Sequence, residues 1–494
     1  MKTDLQHNMW LAASRKILLT DKLPQQLAVS PMTTPTTDKG DDDDDDVLGY
    51  IPLPPEIYRE VDEVDFEILY EMDSRSCPVR NPEKLGTLKS GDHLSSKTEI
   101  ASVFRRKPET EHLSCGRILS GDEVYTKNIT RDRPKLRNRK LNMSCTEVRA
   151  RILPPRSLRK LEFGVAYARI VYEGYEFIED ELRASFHPQN IFCFSVDAKA
   201  GNEFYSNIFA LSICLPNVLV SPIRYPINSL GENVNQAHYD CLKLLSKHEG
   251  WQYAILLQNY DMMIKSVYET VSILKALNGA NDIYSRPCEK NRWNHTANWN
   301  VRTLKLFRNE SLATASQLAT NLTIVRGVVQ SSISRAAVEW AVNTVDLTAL
   351  INQIHTRVLG TDELLWAILQ MSDDLQMPGR FTGNCSKSYV PSFTRLTIWI
   401  NQNEFPCPKK RHSICIFGVE NLQFLSASRS LLANKPYPAY DYAIVDCMHE
   451  LLFNRTYLGQ IDHDLDLQFY RSLENVRYHT NSINPNPNYK LQCP

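Results

Sequence analysis

From residue 163 onward the sequence alternates short apolar runs with helical stretches, and no other feature constrains the fold as strongly. The runs are rich in β-branched and aromatic residues and occupy residues 165–171, 191–196, 217–220 and 253–257. Helical periodicity fills residues 176–186 and 235–246 between them. This alternation predicts an α/β fold with a parallel sheet covered by helices. Ligands bind such sheets beyond the carboxyl ends of the strands, so we expect a site after Val171, Val196 and Leu257.

The chain ahead of this alternation divides into two predicted segments. Residues 1–75 are polar and contain the aspartate run 41–46, whose self-repulsion predicts a disordered acidic tail or stem. Residues 76–160 hold cysteines among many basic residues, which predicts a cysteine-containing stem or collar. We assign residues 161–480 to the α/β domain and residues 481–494 to a C-terminal tail.

The charge balance and several incomplete motifs argue against nucleic acid, an anionic membrane surface and metal ions as binding partners. Lysine and arginine number 56 against 57 acidic residues, so no overall field draws the chain to nucleic acid or to an anionic membrane surface. The basic stretch 131–140 has no accompanying aromatic platform. His449 begins a zincin-like helix that lacks the second histidine, and the alternating aspartates from Asp462 to Asp466 lack the glycine of a calcium loop. We therefore expect no nucleic-acid partner and no bound metal.

Cysteines and glycosylation sequons point to the secretory lumen. The chain has 12 cysteines and no CxxC pair, which argues against a zinc ribbon. Sequons for N-glycosylation occur at Asn128, Asn142, Asn294, Asn309, Asn321, Asn384 and Asn454. The longest apolar patch near the N-terminus, residues 9–13, is too short for a membrane span or a signal peptide. Either an anchor is missing from this sequence or the protein is not luminal.

Four sequence blocks carry a resemblance to a known family. They are AY at 166–167 with PQNIFC at 188–193 and VDAKA at 196–200, then TDELLW at 361–366, SICIFG at 413–418 and LLANK at 431–435. In this order and with these separations, the chain resembles the core-2/I-branching β-1,6-N-acetylglucosaminyltransferase family. The resemblance implies a GT-A-type, Rossmann-like nucleotide-sugar-binding fold, with residues 161–480 as its catalytic domain and the collar disulfide-bonded to it. It also implies a type II membrane protein of the Golgi lumen; a homodimer stays open.

The resemblance assigns the catalytic base to Glu363. Family members use the matching glutamate to deprotonate the acceptor hydroxyl in an inverting single displacement. Residues 362–371 have the pattern of a helix, so the pair Asp362 and Glu363 could instead complement the helix dipole.

The family does without a metal, and the resemblance extends this to the present chain. Only Asp197 remains where many GT-A enzymes have a DxD motif. The family instead places basic side chains against the diphosphate, and Lys435 matches one of them, unless it is an ordinary surface lysine. The second position is His412, with Arg411 adjacent. Either Arg411 reaches the site through a local bulge or His412 supplies a weaker, pH-dependent charge.

Other positions match the nucleoside and acceptor sites of the family. Asp197, with Val171 and Tyr172, is expected to bind the UDP-sugar, although a strand-end aspartate also serves as a helix cap. On the acceptor side, the resemblance suggests Arg292, Trp293, Trp399 and Asp282. A family tyrosine is replaced by Asn401, so acceptor choice is expected to differ. Trp399 could equally be part of the core.

The resemblance also implies four disulfides. They pair Cys115 with Cys447, Cys145 with Cys214, Cys193 with Cys241, and Cys407 with Cys415. Cys77, Cys288, Cys385 and Cys493 remain unassigned, as free thiols or as partners in an intermolecular bridge.

Three functions follow from these observations. The first is inverting, metal-independent transfer of N-acetylglucosamine or a related hexose from a UDP-sugar to a hydroxyl of an O-glycan core, in β-1,6 linkage on a glycan or glycoprotein acceptor. The second is a catalytically weakened glycan- or UDP-binding module that kept the fold, suggested by His412 and Asn401. The third is an intracellular structural protein, suggested only by the absence of a visible signal sequence.

Overall fold

The computed structural model describes residues 103–137, 139–155, 157–355, 360–399, 405, 407–411 and 413–494. The predicted acidic tail, Cys77, Asn401 and His412 lie outside these residues. Among the residues described, no helix combines the length and apolar character needed to cross a membrane.

The predicted α/β architecture is confirmed. The strands are β1 (Gly164–Val171), β2 (Ile191–Val196), β3 (Val218–Val220), β4 (Trp251–Leu257), β5 (Met262–Met263), β6 (Arg286–Pro287), β7 (Val325–Arg326), β8 (Ser332–Ser334), β9 (Arg395–Leu396), β10 (Lys410–Arg411), β11 (Ile414–Cys415) and β12 (Leu432–Ala433).

Some helices pack on the sheet, and the first three belong to the collar. They are α1 (Cys115–Leu119), α2 (Glu123–Arg131), α3 (Cys145–Ile152), α4 (Tyr175–Ser185), α5 (Asn202–Cys214), α6 (Val234–Leu245), α7 (Val267–Ala276), α8 (Ala315–Ala319), α9 (Arg335–Asn343), α10 (Thr348–Ile354), α11 (Leu365–Met371), α12 (Leu422–Ser426), α13 (Ala443–Phe453), α14 (Leu467–Arg471) and α15 (Glu474–Ile483).

The central sheet has the strand order β3-β2-β1-β4-β8. Strands β1 to β4 run parallel, and β8 pairs antiparallel with β4. Every residue of β1 is buried, and its side chains alternate between two cores: Val165 and Tyr167 pack into one, Ala166 and Ala168 into the other. Burial on both faces explains why the strands read as continuous apolar runs in the sequence.

The strand order predicts a ligand crevice between β1 and β4. The chain passes from β1 to β2 and β3 on one side and then crosses to β4 on the other, which is the arrangement that opens a ligand crevice at the carboxyl ends of the strands. Asn259, just after β4, bridges this point. Its side-chain oxygen accepts hydrogen bonds from the backbone N–H groups of Tyr172 at 2.8 Å and Glu173 at 3.3 Å, just after β1.

A second sheet adjoins the end of β4. In it, β12 pairs antiparallel with β5 and parallel with β9. Because β5 follows β4 after a short turn, this pairing fixes Arg395 of β9 and the chain after β12, which contains Lys435, beside the crevice.

The collar attaches to α4 through buried charges. The acidic side chains of this helix are buried, and burial of a carboxylate is unfavourable unless a cation accompanies it. The ion pairs are Lys107 with Glu176 and Asp180, Arg139 with Glu176, and Arg151 with Glu179, at 2.5 to 3.3 Å. Basic residues of the collar thus cover an acidic helix face that the sequence pattern alone would assign to solvent.

All four disulfides implied by the resemblance form. Cys115 pairs with Cys447, Cys145 with Cys214, Cys193 with Cys241, and Cys407 with Cys415. A fifth joins Cys385 to Cys493 and ties the predicted C-terminal tail to a turn after α11. Within the described part of the chain, Cys288 alone is a free thiol.

Candidate active site

Glu363 lies in a tight turn beside β7, and its carbonyl accepts a hydrogen bond from the N–H of Gly327 at 2.6 Å. The α-helix predicted from Asp362 begins at Leu365, and a separate 3-10 turn, Thr361–Glu363, precedes it. Gly360 opens this turn with φ +81°, a conformation that favours glycine. A β carbon there would stand 2.2 Å from Nη1 of Arg292, so the glycine also allows the arginine to approach. The turn presents Glu363 with one fifth of its side chain exposed.

Two arginines contact the carboxylate of Glu363. Arg292 Nη1 lies 3.3 Å and Arg326 Nη2 lies 3.5 Å from the same oxygen, Oε2. Arg326 belongs to β7, where it pairs in register with Arg286 of β6. The predicted site included Arg292 but not Arg326; a charged residue inside the apolar run 324–329 was the available signal.

A carboxylate stands among the same arginines. Glu289 lies 2.7 Å from Arg286, 3.1 Å from Arg326 and 3.7 Å from Arg292. Burial acts to raise the pKa of Glu289, but its hydrogen bond to a backbone amide and the three arginines outweigh burial and lower it. This side of the site is therefore a tight network of opposite charges.

Asp362 is held against the loop that precedes α6. The backbone N–H of Gly360 donates to the carbonyl of Leu230 at 2.9 Å. A β carbon on Gly231 would come within 2.2 Å of the Asp362 carboxylate, which shows how closely the loop packs on the turn. Burial, and secondarily the charge of Glu363, raises the pKa of Asp362 to about 7.

Arg395 of β9 lies beside the segment that contains Lys435. Its guanidinium donates hydrogen bonds to Gln330 at 2.7 Å and to Asn434 at 3.1 Å. Burial lowers the pKa of Arg395, while the negative charges of Asp261, Glu363 and Asp362 act to raise it.

Lys435 lies in the same electrostatic neighbourhood. Burial, and secondarily the charges of Arg411 and Arg395, lower its pKa to about 8, while Asp261 acts to raise it. Arg395 is hydrogen-bonded to Asn434, the residue before Lys435, and its charge influences the pKa of Lys435, as the charge of Glu363 influences the pKa of Arg395.

A chain of aromatic side chains links Arg411 to Tyr172. The guanidinium of Arg411 lies 5.2 Å from the ring of Tyr437, whose ring is 5.2 Å from that of Tyr260. Tyr260 in turn contacts Tyr172 edge to face at 6.1 Å. Burial raises the pKa of Tyr172, and the charge of Arg411 acts against this rise. Arg411 and Tyr172, both predicted to bind the UDP-sugar, therefore lie near each other.

Asp197 follows β2, and its side chain caps the turn that comes next. Its Oδ1 accepts hydrogen bonds from the backbone N–H groups of Lys199 at 2.9 Å and Ile227 at 3.4 Å. Its own N–H donates to the carbonyl of Val171 at 3.0 Å. Val171 is fully buried, so its side chain faces the core.

The predicted acceptor residues separate into surface and interior positions. Trp399 is 41% exposed, and its backbone bridges to Ile414. Trp293 contacts His295 in a tilted arrangement, with ring centres 3.9 Å apart. Asp282, by contrast, is fully buried.

The contacts of Asp282 explain its interior position. Its Oδ2 accepts four hydrogen bonds, from the hydroxyls of Ser392 and Thr394 and from the backbone N–H groups of Phe393 and Thr394, at 2.6 to 3.1 Å. Burial nevertheless raises the pKa of Asp282. The side chain anchors the segment leading into β9 and so supports Arg395 rather than reaching the cleft.

Comparison with known proteins assigns the family. The model of the Core-2/I-Branching enzyme family matches residues 165–426, more than half of the chain. This chain belongs to the core-2/I-branching enzyme family. The resemblance inferred from the sequence blocks is therefore confirmed. Strands β1, β4 and β9 lie essentially within the matched region, and β12 follows it.

Curated relatives of this family cover most of the chain. A beta-1,3-galactosyl-O-glycosyl-glycoprotein beta-1,6-N-acetylglucosaminyltransferase 3 of Bos taurus is 27% identical over 414 residues, which cover 75% of this chain and 89% of the relative. The enzyme of that type from Ovis aries is 28% identical over 405 residues, with the same coverage. One from Bovine herpesvirus 4 is 28% identical over 381 residues, covering 71% of this chain and 85% of the relative.

The sequons and the possible metal ligands can also be located in this member of the core-2/I-branching family. Of the seven sequon asparagines, Asn454 is half-buried and the others are exposed. Across the described ranges, no three histidine, cysteine, aspartate or glutamate side chains are grouped so that they could hold a metal ion.

Proposed function

We propose that this protein is an inverting, metal-independent glycosyltransferase of the GT-A type. It moves N-acetylglucosamine or a related hexose from a UDP-sugar to a hydroxyl of an O-glycan core in β-1,6 linkage. The observation that carries this proposal is the placement of Glu363 against Arg292 and Arg326, together with the hydrogen bond from Arg395 to Asn434, the residue before Lys435. Family membership supplies the reaction class.

The donor would lie in the crevice between β1 and β4. Tyr172 is 37% exposed and offers a face to the uracil or ribose, with Asp197 beside it at the end of β2. Lys435 and Arg411 would stand against the diphosphate, and their positive charges would offset the negative charge that grows on the leaving UDP. In this arrangement cationic side chains do the work that a divalent ion does in other glycosyltransferases.

Glu363 would act as the general base. Both arginine contacts go to Oε2, and we assign Oε1 to the acceptor hydroxyl. Oε1 takes the hydroxyl proton while the hydroxyl oxygen forms a bond to the anomeric carbon of the donor. The bond from that carbon to the diphosphate breaks on the opposite face, and UDP leaves with the electron pair. A single displacement of this kind inverts the configuration at the anomeric carbon.

The acceptor would approach from the side of Arg292 and Trp399. An exposed indole face suits the apolar face of a sugar ring, and the guanidinium of Arg292 can donate hydrogen bonds to sugar hydroxyls without leaving Glu363.

We also propose that the protein works in the Golgi lumen, as a membrane-anchored or secreted form. Five disulfides and the exposed sequons support an oxidising, glycosylating compartment. A homodimer would be compatible with the free thiol of Cys288 but does not require it.

The deciding experiment measures transfer by the full chain secreted from animal cells. The purified protein is incubated with UDP-N-acetylglucosamine or other UDP-hexoses and a galactosyl-GalNAc acceptor, with and without EDTA. We expect transfer that survives EDTA and that falls roughly 100-fold or more in Glu363→Gln, the loss typical of a missing general base. Glu339→Gln, which alters an exposed carboxylate on α9, is the control and should remain active. Full activity of Glu363→Gln, or transfer that needs a divalent ion, would contradict the proposal.

The alternative is a catalytically weakened module that binds UDP or glycan. It is favoured by one observation, the engagement of Glu363 by two arginines rather than one. Calorimetric binding of UDP by a protein that transfers no sugar to any acceptor would support this alternative.

A further inference from the structure

The turn after Arg292 displays an asparagine that meets the requirements of an N-glycosylation site. Asn294 and Thr296 are both exposed and form the sequon Asn-His-Thr. The side-chain oxygen of Asn294 accepts hydrogen bonds from the N–H of Thr296 at 2.9 Å and from its hydroxyl at 2.7 Å. The asparagine is therefore in contact with the hydroxyl residue that defines the sequon.

This turn is fixed to the body of the protein. The indole N–H of Trp299, a buried residue, donates to the carbonyl of Asn294 at 2.9 Å. The ring of His295 packs at a tilt against Trp293, and its ring nitrogen lies 2.5 Å from the carbonyl of Lys290. A group attached to Asn294 would therefore keep a defined position relative to the site.

That position is the acceptor side of the cleft. Arg292, two residues before Asn294, lies 3.3 Å from Glu363. Two residues of chain span at most about 7 Å, so the attachment point cannot be far from the arginine that contacts the proposed base. Among the described residues, no other sequon begins within two residues after a side chain in contact with Glu363.

We propose that Asn294 carries an N-linked glycan that screens the acceptor side of the cleft and disfavours bulky glycoprotein acceptors relative to small or well-exposed glycans. This inference rests on the proposed function. In the attachment step the Asn294 amide nitrogen bonds to the anomeric carbon of a lipid-pyrophosphate-linked oligosaccharide. The amide loses one proton, and the lipid pyrophosphate leaves with the electron pair. The attached glycan is large and hydrated, so it obstructs a macromolecule more than a disaccharide.

The test compares two acceptors that share one reacting disaccharide. One is the free galactosyl-GalNAc disaccharide, and the other is a mucin-type glycoprotein densely substituted with it. The secreted full chain is used throughout, and glycopeptide mass spectrometry measures occupancy at Asn294.

Three variants separate the effect of the glycan from the effect of the amino-acid change itself. Thr296→Ala abolishes the sequon, and Thr296→Ser keeps it together with the hydroxyl that bonds Asn294. Asn309→Gln removes a different sequon; its neighbour Arg308 bonds to Thr344 and Val342 near the end of α9, not to the Glu363 turn. Wild-type protein trimmed by an endoglycosidase to a single sugar provides an unmutated comparison.

We expect Asn294 to be occupied and Thr296→Ala to raise kcat/KM for the glycoprotein roughly threefold or more, because easier access raises the association rate. Trimming should act in the same direction. The disaccharide should be used equally well by every form, and Thr296→Ser and Asn309→Gln should match the wild type.

An unoccupied Asn294, or a Thr296→Ala variant whose ratio of the two kcat/KM values is unchanged, would overturn the proposal. Failure of every form to transfer sugar to either acceptor would overturn the proposed function and this inference together. The two failures are therefore distinguishable.

Discussion

Lys435 lies in surroundings that disfavour its charged form. Burial and the neighbouring Arg411 and Arg395 hold its pKa at about 8, so the lysine is protonated below this pH and neutral above it. If Lys435 compensates the diphosphate, kcat/KM should fall as pH rises through about 8, because the cation is then lost.

A pH–rate profile of the wild type and Lys435→Arg measures this effect. The guanidinium stays charged throughout, so the alkaline fall should disappear in the variant if it remains active. Lys409→Arg, at an exposed position, is the control and should keep the wild-type profile. An identical alkaline fall in all three proteins would assign the titration to another group.

Gly231 is predicted to be irreplaceable because of Asp362. Its φ is +88°, and an added β carbon would approach the Asp362 carboxylate to 2.2 Å. Gly231→Ala should therefore destabilise the protein by about 2 to 3 kcal/mol and reduce transfer, because the Glu363 turn must shift.

Gly174→Ala is the matched control for that change. Gly174 also has a positive φ, +70°, but nothing lies within 4 Å of the position of its β carbon. This variant should show only the backbone cost, about 1 kcal/mol. Urea unfolding measures both variants, and equal losses of stability would show that contact with Asp362 is unimportant.

At the scale of secondary-structure elements, the segment entering β9 depends on one buried carboxylate. Asp282→Ala would leave the groups at Ser392, Phe393 and Thr394 without their acceptor, at a cost of roughly 3 kcal/mol. Because this segment carries Arg395, we also expect weaker UDP binding at temperatures where the variant is folded.

The control for this prediction is Asp373, whose side chain anchors a different turn. Asp373 accepts hydrogen bonds from Thr382 and Gly383, both at 3.0 Å. Asp373→Ala should lose stability without losing affinity for UDP. Calorimetry on both folded variants separates the two effects, and equal UDP affinity would disprove the link from Asp282 to Arg395.

Elements of the central sheet could be predicted closely because burial on both faces leaves a strong apolar signal. The run 191–196 coincides with β2, and the predicted helices 176–186 and 235–246 differ from α4 and α6 by one residue at each end. The short strands β5, β9 and β12 could not be predicted, since two residues show no periodicity and only tertiary pairing defines them.

The residues of the candidate site divide in the same way, into those that the sequence indicated and those that it did not. Glu363 and Lys435 were predicted through the family blocks, and Arg395 is hydrogen-bonded to Asn434, the residue before Lys435. Arg326 and Arg395 were missed because a single arginine in a short apolar run gives no hint of its partner. Asp282 was placed on the acceptor side by sequence proximity alone, whereas its hydrogen bonds face the interior.

On the scale of the whole molecule, the fifth disulfide joins the C-terminal segment to the support of the site. Cys385 belongs to a buried cluster with Val325 of β7 and Ala367 of α11, the elements that adjoin Arg326 and Glu363. The bond closes 108 residues of chain, which corresponds to about 4 to 5 kcal/mol by chain entropy.

Replacing both Cys385 and Cys493 by serine should lower the unfolding free energy by about 3 to 5 kcal/mol. Cys288→Ser, which removes a free thiol, is the control and should leave stability unchanged. Thermal unfolding under non-reducing conditions compares the variants. An unchanged Tm in the double variant would mean that the C-terminal segment is held by its other contacts.

The ion pairs between the collar and α4 set a limit on proteolytic trimming. A cut before Lys107 leaves the cations of Lys107, Arg139 and Arg151 attached to the body, so soluble forms of different lengths can share one fold. A cut that removes residues through Arg151 would strand carboxylates of α4 without counterions in the interior. If the protein is released from a membrane by proteolysis, the recovered form should therefore begin upstream of Lys107.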